Sequence, residues 1–207
     1  MSWWAERVVP RLVDRSLGTE EVGRLRAMAC AGLRGRVIEV GFGSGLNLTH
    51  YPGEVSEIGA VEPSDLAWAK AAPRIASASC VVQRAGRDAQ HLALAEDSFD
   101  AALTTFTLCT IPDPVAALHE IRRVLRPGGR LHLAEHGLAP DPEVVRWQRR
   151  LAPFQHAVFG GCRLDRDIAA LLEAGGFRWG ACSRFYAPGP RSSRPFGALY
   201  LGWATAG

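Results

Sequence analysis

A strand-like run, Val37-Ile38-Glu39-Val40, passes straight into Gly41-Phe42-Gly43-Ser44-Gly45, and this junction constrains the fold more than any other segment. Glycine at alternate positions lets the backbone turn tightly and keeps side chains off a surface that a ligand can approach. Open α/β sheets place their ligands at such turns, beyond the carboxyl ends of the strands. The rest of the chain agrees. Two helical stretches, about Trp3–Ser16 and Thr19–Leu33, precede the first strand, Arg36–Val40. A helix start is expected after the glycine turn, and further strands at Glu57–Val61, about Cys80–Gln83, Phe99–Phe106 and Arg130–Glu135. Strands alternating with helices at these spacings predict a mostly parallel, doubly wound sheet.

Cap chemistry marks the helices. Ser64 is placed to cap a helix running to about Ile75. Asp113 caps the next, Pro114 takes its first position, and Val115, Leu118, Ile121, Val124 and Leu125 form its apolar face. Arg122, Arg123 and Arg126 read as its solvated side and last turn, and Pro127-Gly128-Gly129 as its stop. The C-terminal third changes pattern. A helical insertion at Glu143–Phe159 and a helix from Asp165 to Ala174 lead into two runs, Phe177–Tyr186 and Phe196–Ala204, with no helix between them. That closeness predicts an antiparallel hairpin at the sheet edge.

The length, 207 residues, suits one domain over residues 1–207, with 1–34 as a helical lid or cap and 137–164 as a substrate-side insertion. A net charge of +3 from scattered arginines gives a nucleic-acid partner no support. The five cysteines form no CxxC pair, which argues against a disulfide framework and a structural zinc site. The amino-terminal residues show no signal-peptide pattern and no run is long enough to span a membrane, so a cytoplasmic location is expected. Trp3, Trp4, Val8, Val9, Leu12 and Val13 repeat at helical spacing. They read as a lid, a membrane-surface helix or a helix packed on the domain; the short length and Pro10 favour packing or a lid.

Two ligand classes use a glycine turn of this kind. A dinucleotide needs G-x-G-x-x-G/A, and Leu46 stands at the last position of that pattern. Glu39, two residues before the first glycine, suits a cation better than a pyrophosphate. S-adenosylmethionine (SAM) carries an ammonium and a sulfonium and no phosphate. Glu62, at the end of the second strand, is placed to accept hydrogen bonds from ribose hydroxyls. Asp88-Ala89-Gln90-His91-Leu92 follows the third strand, and Leu125-Arg126-Pro127-Gly128-Gly129-Arg130 turns into the fifth. These blocks, in this order over about Gly35–His136, resemble the class I SAM-dependent methyltransferases. The resemblance implies a Rossmann-like α/β fold with a mostly parallel seven-stranded sheet and an antiparallel C-terminal hairpin. It implies SAM as cofactor, with S-adenosylhomocysteine as product, and it assigns Glu39, Gly41, Phe42, Gly43, Ser44, Gly45, Asn47, Glu62, Pro63, Asp88, Ala89, Thr105 and Phe106 to its binding.

Finer features are similar to the methyltransferase-like 7 group and its bacterial relatives: Gly45-Leu46-Asn47-Leu48 into His50-Tyr51-Pro52, Thr107-Leu108-Cys109-Thr110 at the end of the fourth strand, Glu135-His136, Trp147-Gln148 and Gly161-Cys162. Members of that group methylate thiols, and some relatives act on lipids or quinones. The long hydrophobic anchor of the animal members has no counterpart here, so membrane attachment does not carry over. The resemblance implies methyl transfer to a small molecule, with a thiol as first choice. A thiol with pKa near 8.5 already supplies thiolate near neutral pH, so a modest base suffices. His136 is the first candidate base and His156 the second; each also reads as a plain polar residue. Cys109, Cys162, Trp147, Phe154 and the tryptophans Trp3 and Trp4 are candidates for the substrate pocket, with packing as the plainer role. No metal role follows. An N-, O- or C-methyltransferase, an NAD-linked oxidoreductase and a non-catalytic SAM-binding module stay as rivals.

Overall fold

The structure, a computed structural model, describes residues 18–158 and 161–207. The expected amino-terminal helix with Trp3 and Trp4, and Phe159, lie outside the described residues. Thr19 opens the first described helix, α1 (Glu20–Cys30), its hydroxyl accepting from the Val22 N–H at 3.4 Å. There follow β1 (Gly35–Val40), β2 (Val55–Val61), α2 (Asp65–Ala76), β3 (Val81–Gly86), β4 (Phe99–Thr105), α3 (Pro114–Val124) and β5 (Leu125–His136). The chain ends with α4 (Pro142–Val158), α5 (Ile168–Ala174), β6 (Phe177–Tyr186) and β7 (Ala198–Ala206).

The strands form one seven-stranded sheet in the order β3-β2-β1-β4-β5-β7-β6. The pairs from β3 to β5 are parallel, and β7 is antiparallel to both β5 and β6. The C-terminal hairpin is present, with its later strand on the inside. Ala198 to Leu201 are apolar enough to be buried on both faces, whereas Arg178 and Arg184 suit β6 to the edge. Alternation along the strands divides the core between the two faces. Val37, Ala101 and Leu103 pack with α1 and α2 residues such as Ala29, Cys30 and Ala71. Their neighbours Ile38 and Ala102 pack with Leu118, Ile121, Ile168 and Leu172 of α3 and α5. Each fully buried Ile or Leu contributes about 1.5–3 kcal/mol. The chain runs outward from β1 to β3, then crosses back to β4 on the other side of β1. The crevice opened by this reversal, above the carboxyl ends of β1 and β4, is where such sheets hold ligands.

Ser64 and Asp113 cap α2 and α3 as their spacing predicts. Several boundaries differ from the sequence reading. No α-helix follows the glycine turn; a single 3-10 turn, Leu48–His50, stands there, and Tyr51 at its end is already extended, leading into Pro52. The fourth strand stops at Thr105, not Phe106, because Phe106 has a positive φ of 55° that no strand accommodates. Helix α3 ends at Val124, and Leu125 and Arg126 already belong to β5. Leu125 pairs with Phe99, a register shift absorbs the Pro-Gly-Gly, and Arg126 reaches back to Asp100. Helix α5 starts at Ile168 because Asp167, not Asp165, caps it, accepting from the Ala169 and Ala170 N–H groups. Among the described residues no helix is long and apolar enough to cross a membrane.

Candidate functional site

The described residues line a cavity of about 2050 Å³ above the carboxyl ends of β1, β2, β4 and β5. Small-molecule sites commonly measure about 300–1,000 Å³, so this one has room for two molecules side by side.

One end is built by the glycine turn and the turns after β2 and β3. Gly41 has φ 78° and its α-hydrogen faces the Thr107 side chain, which any Cβ would strike. Gly43 has φ 59°, and a Cβ there would meet nothing nearer than the Gly41 carbonyl at 4.0 Å. The space over Gly43 is therefore open to a ligand at backbone distance. Glu62 closes β2. Its carboxylate accepts from the Gly43 N–H at 2.7 Å and the Ser64 N–H at 2.8 Å. Each oxygen keeps a further acceptor position. Burial raises the pKa of Glu62, and the two N–H groups and Arg84 pull it back. Asp88 turns the chain after β3, accepting from the Gln90 N–H and side-chain amide, both at 2.9 Å. Gln90 in turn accepts from the Asp113 N–H at 2.8 Å, tying that turn to the start of α3.

The floor is a buried polar network. The Arg26 guanidinium of α1 donates to Asn47 at 2.8 Å and to the Thr105 hydroxyl at 2.9 Å, and lies over the Phe106 ring at 5.4 Å. Asn47 donates to Glu39 at 2.7 Å and to Thr105 at 2.9 Å, and the Tyr51 hydroxyl donates to the other Glu39 oxygen at 2.7 Å. Burial pushes Glu39 up to about 7, against the pull of Tyr51, Asn47 and Arg26.

Beside it, Glu135 of β5 is wholly buried and ties the turn after β4. Its oxygens accept from the Thr107 N–H at 2.9 and 3.0 Å and from the Leu108 N–H at 3.1 Å. Burial pushes it up to about 7 despite these donors. The turn it holds contains Phe106, whose left-handed backbone stores about 1–3 kcal/mol. The other end of the cavity has an apolar wall that includes Phe154, Phe185, Phe196 and Leu199. His136 stands there with its ring 4.9 Å from that of Phe106. Burial lowers His136 to about 4, so it is neutral at pH 7.

Of the residues singled out in the sequence, Gly41, Phe42, Gly43, Ser44, Glu62, Pro63, Asp88, Ala89, Thr105, Phe106, Cys109, His136, Phe154 and Cys162 line the cavity. Glu39 and Asn47 are buried in the floor, bonded to each other, and do not reach the lining. Gly45 lies outside it too. Trp147 is 54% exposed, with Arg150 over its ring, and His156 is also exposed; both point away from the cavity because the face of α4 turned inward carries Gln148, Ala152 and Gln155. Two residues escaped the sequence reading. Arg26 reads as one of two arginines on a polar helix, yet it shares a face with the buried Ala29 and Cys30 at i+3 and i+4, and a charge on that stripe was the available signal. Glu135 stood beside His136 with nothing local to show what its carboxylate ties down.

Residues 38–133 match the family model described as "Methyltransferase domain". The chain is 32% identical to the thiol S-methyltransferase TMT1A of Homo sapiens over 147 residues, covering 68% of this chain and 59% of that protein. It is 28% identical to the phosphatidylethanolamine N-methyltransferase of Cereibacter sphaeroides, over 71% of this chain and 74% of that protein. The chain thus spans about three-fifths of the length of the thiol S-methyltransferases it matches. A SAM-dependent methyltransferase of Thermotoga maritima has the same fold, with a TM-score of 0.68 at 23% identity, over 98% of this chain and 100% of that one.

Proposed function

On the footing that this chain belongs to the class I SAM-dependent methyltransferases, with SAM as cofactor, we propose that it methylates the sulfur of a small apolar thiol. The open backbone over Gly43 and the spare acceptor positions of Glu62 fit the cofactor. Glu62 would hold the ribose hydroxyls, Asp88 the adenine amino group, and Arg26 the carboxylate of the methionyl arm. Glu62→Ala removes hydrogen bonds to a charged group, worth about 1.5–3 kcal/mol. The expected result is a rise of roughly 10- to 100-fold in KM for SAM, with kcat changed much less, read from initial rates at varied SAM.

When bound, SAM supplies an electrophilic methyl group on a sulfonium. The chain's own work is to bind, to orient the acceptor sulfur in line with the departing sulfur, and to keep water out. The observation that carries the thiol reading is the acceptor-side histidine. His136 lines the apolar wall and, with a pKa near 4, is a weak base. A weak base serves an acceptor that ionises by itself near neutral pH, as a thiol does, and serves a phenol or a carbon acid poorly. The thiol S-methyltransferases among the relatives support the same choice.

The test is SAM turnover, followed as S-adenosylhomocysteine, on small aryl and alkyl thiols beside phenols, amines and quinols. Turnover is expected with thiols, and His136→Ala is expected to keep at least about a tenth of it, because the thiolate forms unaided. Reaction of an amine alone would favour N-methylation, as in the phosphatidylethanolamine methyltransferase. Complete loss in His136→Ala, with a phenol or quinol as acceptor, would overturn the thiol reading. Silence across the panel would favour a binding module.

A further inference from the structure

Two cysteines far apart in the chain meet on the acceptor side of the cavity. Cys109 lies in the turn held by Glu135, and Cys162 lies beyond the end of α4. The Arg163 N–H donates to the Cys109 carbonyl at 2.9 Å, which brings the two segments alongside each other. Their Sγ atoms are 3.5 Å apart, and both residues line the cavity. Cys162 keeps 8% of its surface and Cys109 1%, so Cys162 is the one a molecule in the cavity reaches first. A disulfide needs about 2.05 Å between sulfurs, so the pair must draw closer to bond.

We propose that Cys109 and Cys162 form a redox-active dithiol that exchanges with a small-molecule disulfide entering the cavity. The Cys162 thiolate attacks one sulfur of the disulfide R–S–S–R. A protein–substrate S–S bond forms, the original S–S bond breaks, and RS⁻ leaves, taking up the proton that Cys162 gave. Cys109 then attacks the Cys162 sulfur, and the second RS⁻ leaves with the Cys109 proton. The two cysteines are oxidised to one disulfide and R–S–S–R is reduced to two molecules of RSH, so electrons and protons balance with no further reagent.

The surroundings divide the roles. The Cys162 thiol is held below its ordinary pKa, first by the Cys109 S–H that can donate to its thiolate, then by Gln155 and the Arg166 guanidinium, against burial and the nearby Glu135. Cys109 is pushed well above its ordinary value by the same S–H contact, by burial and by the negative charges of Cys162 and Glu135. The lowered pKa gives Cys162 the larger thiolate fraction, which makes it the attacking thiol and leaves Cys109 to resolve the mixed disulfide. Arg166, which also donates to the Leu108 carbonyl, fixes the turn from the other side. Cys30 and Cys80 lack this arrangement, and Cys182 is exposed on β6.

The exchange stands whichever atom accepts the methyl group, and its test omits SAM, so its failure leaves the methyl-transfer reading untouched. The reduced, full-length protein is treated with hydroxyethyl disulfide, quenched in acid, digested without reductant and mapped by mass spectrometry. The expected result is a Cys109–Cys162 cross-linked peptide, with the mass loss of two hydrogens. Cys109→Ser is expected to stop at the mixed disulfide and carry one hydroxyethylthio group on Cys162. Cys162→Ser is expected to lose the cross-link and leave Cys109 unmodified. A wild-type protein modified at exposed Cys182 but with no Cys109–Cys162 cross-link would overturn the proposal, because the reagent would have been active and the pair inert. An unmodified Cys162 in a folded Cys109→Ser variant would overturn it too.

Discussion

Glu135→Ala is expected to abolish methyl transfer and to lower stability by about 3 kcal/mol or more. Both oxygens of this fully buried carboxylate receive backbone N–H groups from Thr107 and Leu108. Alanine leaves those donors buried without an acceptor, at about 1–3 kcal/mol each. It also releases the left-handed Phe106, which only the surrounding bonds hold in place. Thr105 and Phe106 would then leave the cavity wall, and Cys109 with them. Urea unfolding and SAM turnover check this; an unchanged unfolding midpoint with normal turnover would sink the account.

The same carboxylate gives a pH signature. Its pKa is about 7 in the fold, against an ordinary value of 4.5, so between those values the native state holds a proton that the unfolded state has lost. The stability it contributes is full below about pH 4.5 and is lost as pH rises through about 7. Glu39, also at about 7, behaves alike. His136 runs the other way. Its pKa is about 4 in the fold and 6.5 ordinarily, so its contribution is present above 6.5 and lost as pH falls towards 4. His132, lowered by burial, adds to that side. The opposed slopes offset one another at mildly acidic pH in the wild type. Glu135→Gln cannot titrate, so the stability gap between wild type and this variant is expected to be wider at pH 5 than at pH 8. A gap that widens with pH would contradict the assigned shift.

Arg26→Met is expected to weaken SAM binding by about 100-fold. The guanidinium is 6% exposed, lines the cavity and joins α1 to Asn47 and Thr105. Methionine keeps most of the volume and removes the charge. A carboxylate on the ligand would lose a charge-assisted partner, at about 1.5–3 kcal/mol. Glu39, buried beneath, would lose the cation that helps hold its pKa down, and would sit higher still. Arg26→Lys keeps the charge without the planar fork and should fall between the two. Calorimetric titration with SAM and with S-adenosylhomocysteine reads the effect directly. An unchanged dissociation constant in a folded Arg26→Met protein would remove Arg26 from the cofactor site.

Local chemistry makes much of this molecule legible in its sequence. The glycine turn after β1, the Ser64 and Asp113 caps, and the order of strands and helices all depend on residues within a few positions of one another. Period-two and period-3.6 patterns carry that information directly. Glu62 was legible for the same reason, since it follows directly on a strand whose end the pattern marks, whereas Asp88, two residues past the end of β3, was singled out by the resemblance of its segment. What escaped depends on distance. The end of β4 at Thr105, short of Phe106, is set by the grip of Glu135 on the next turn, not by strand propensity. Arg26 meets Thr105, and Cys109 meets Cys162, only because the sheet order brings separate segments to one crevice. His156 and Trp147 were attractive in the sequence and are turned outward by the rotation of α4, which the buried side chain of Gln148 locks to Gly137, Ala139 and Pro195. The sequence by itself therefore determined most of the elements and the glycine turn, because caps and periodicity act over a few residues. Only the tertiary structure decided which distant side chains share a cavity, because that follows from strand order and helix rotation, which no local pattern encodes.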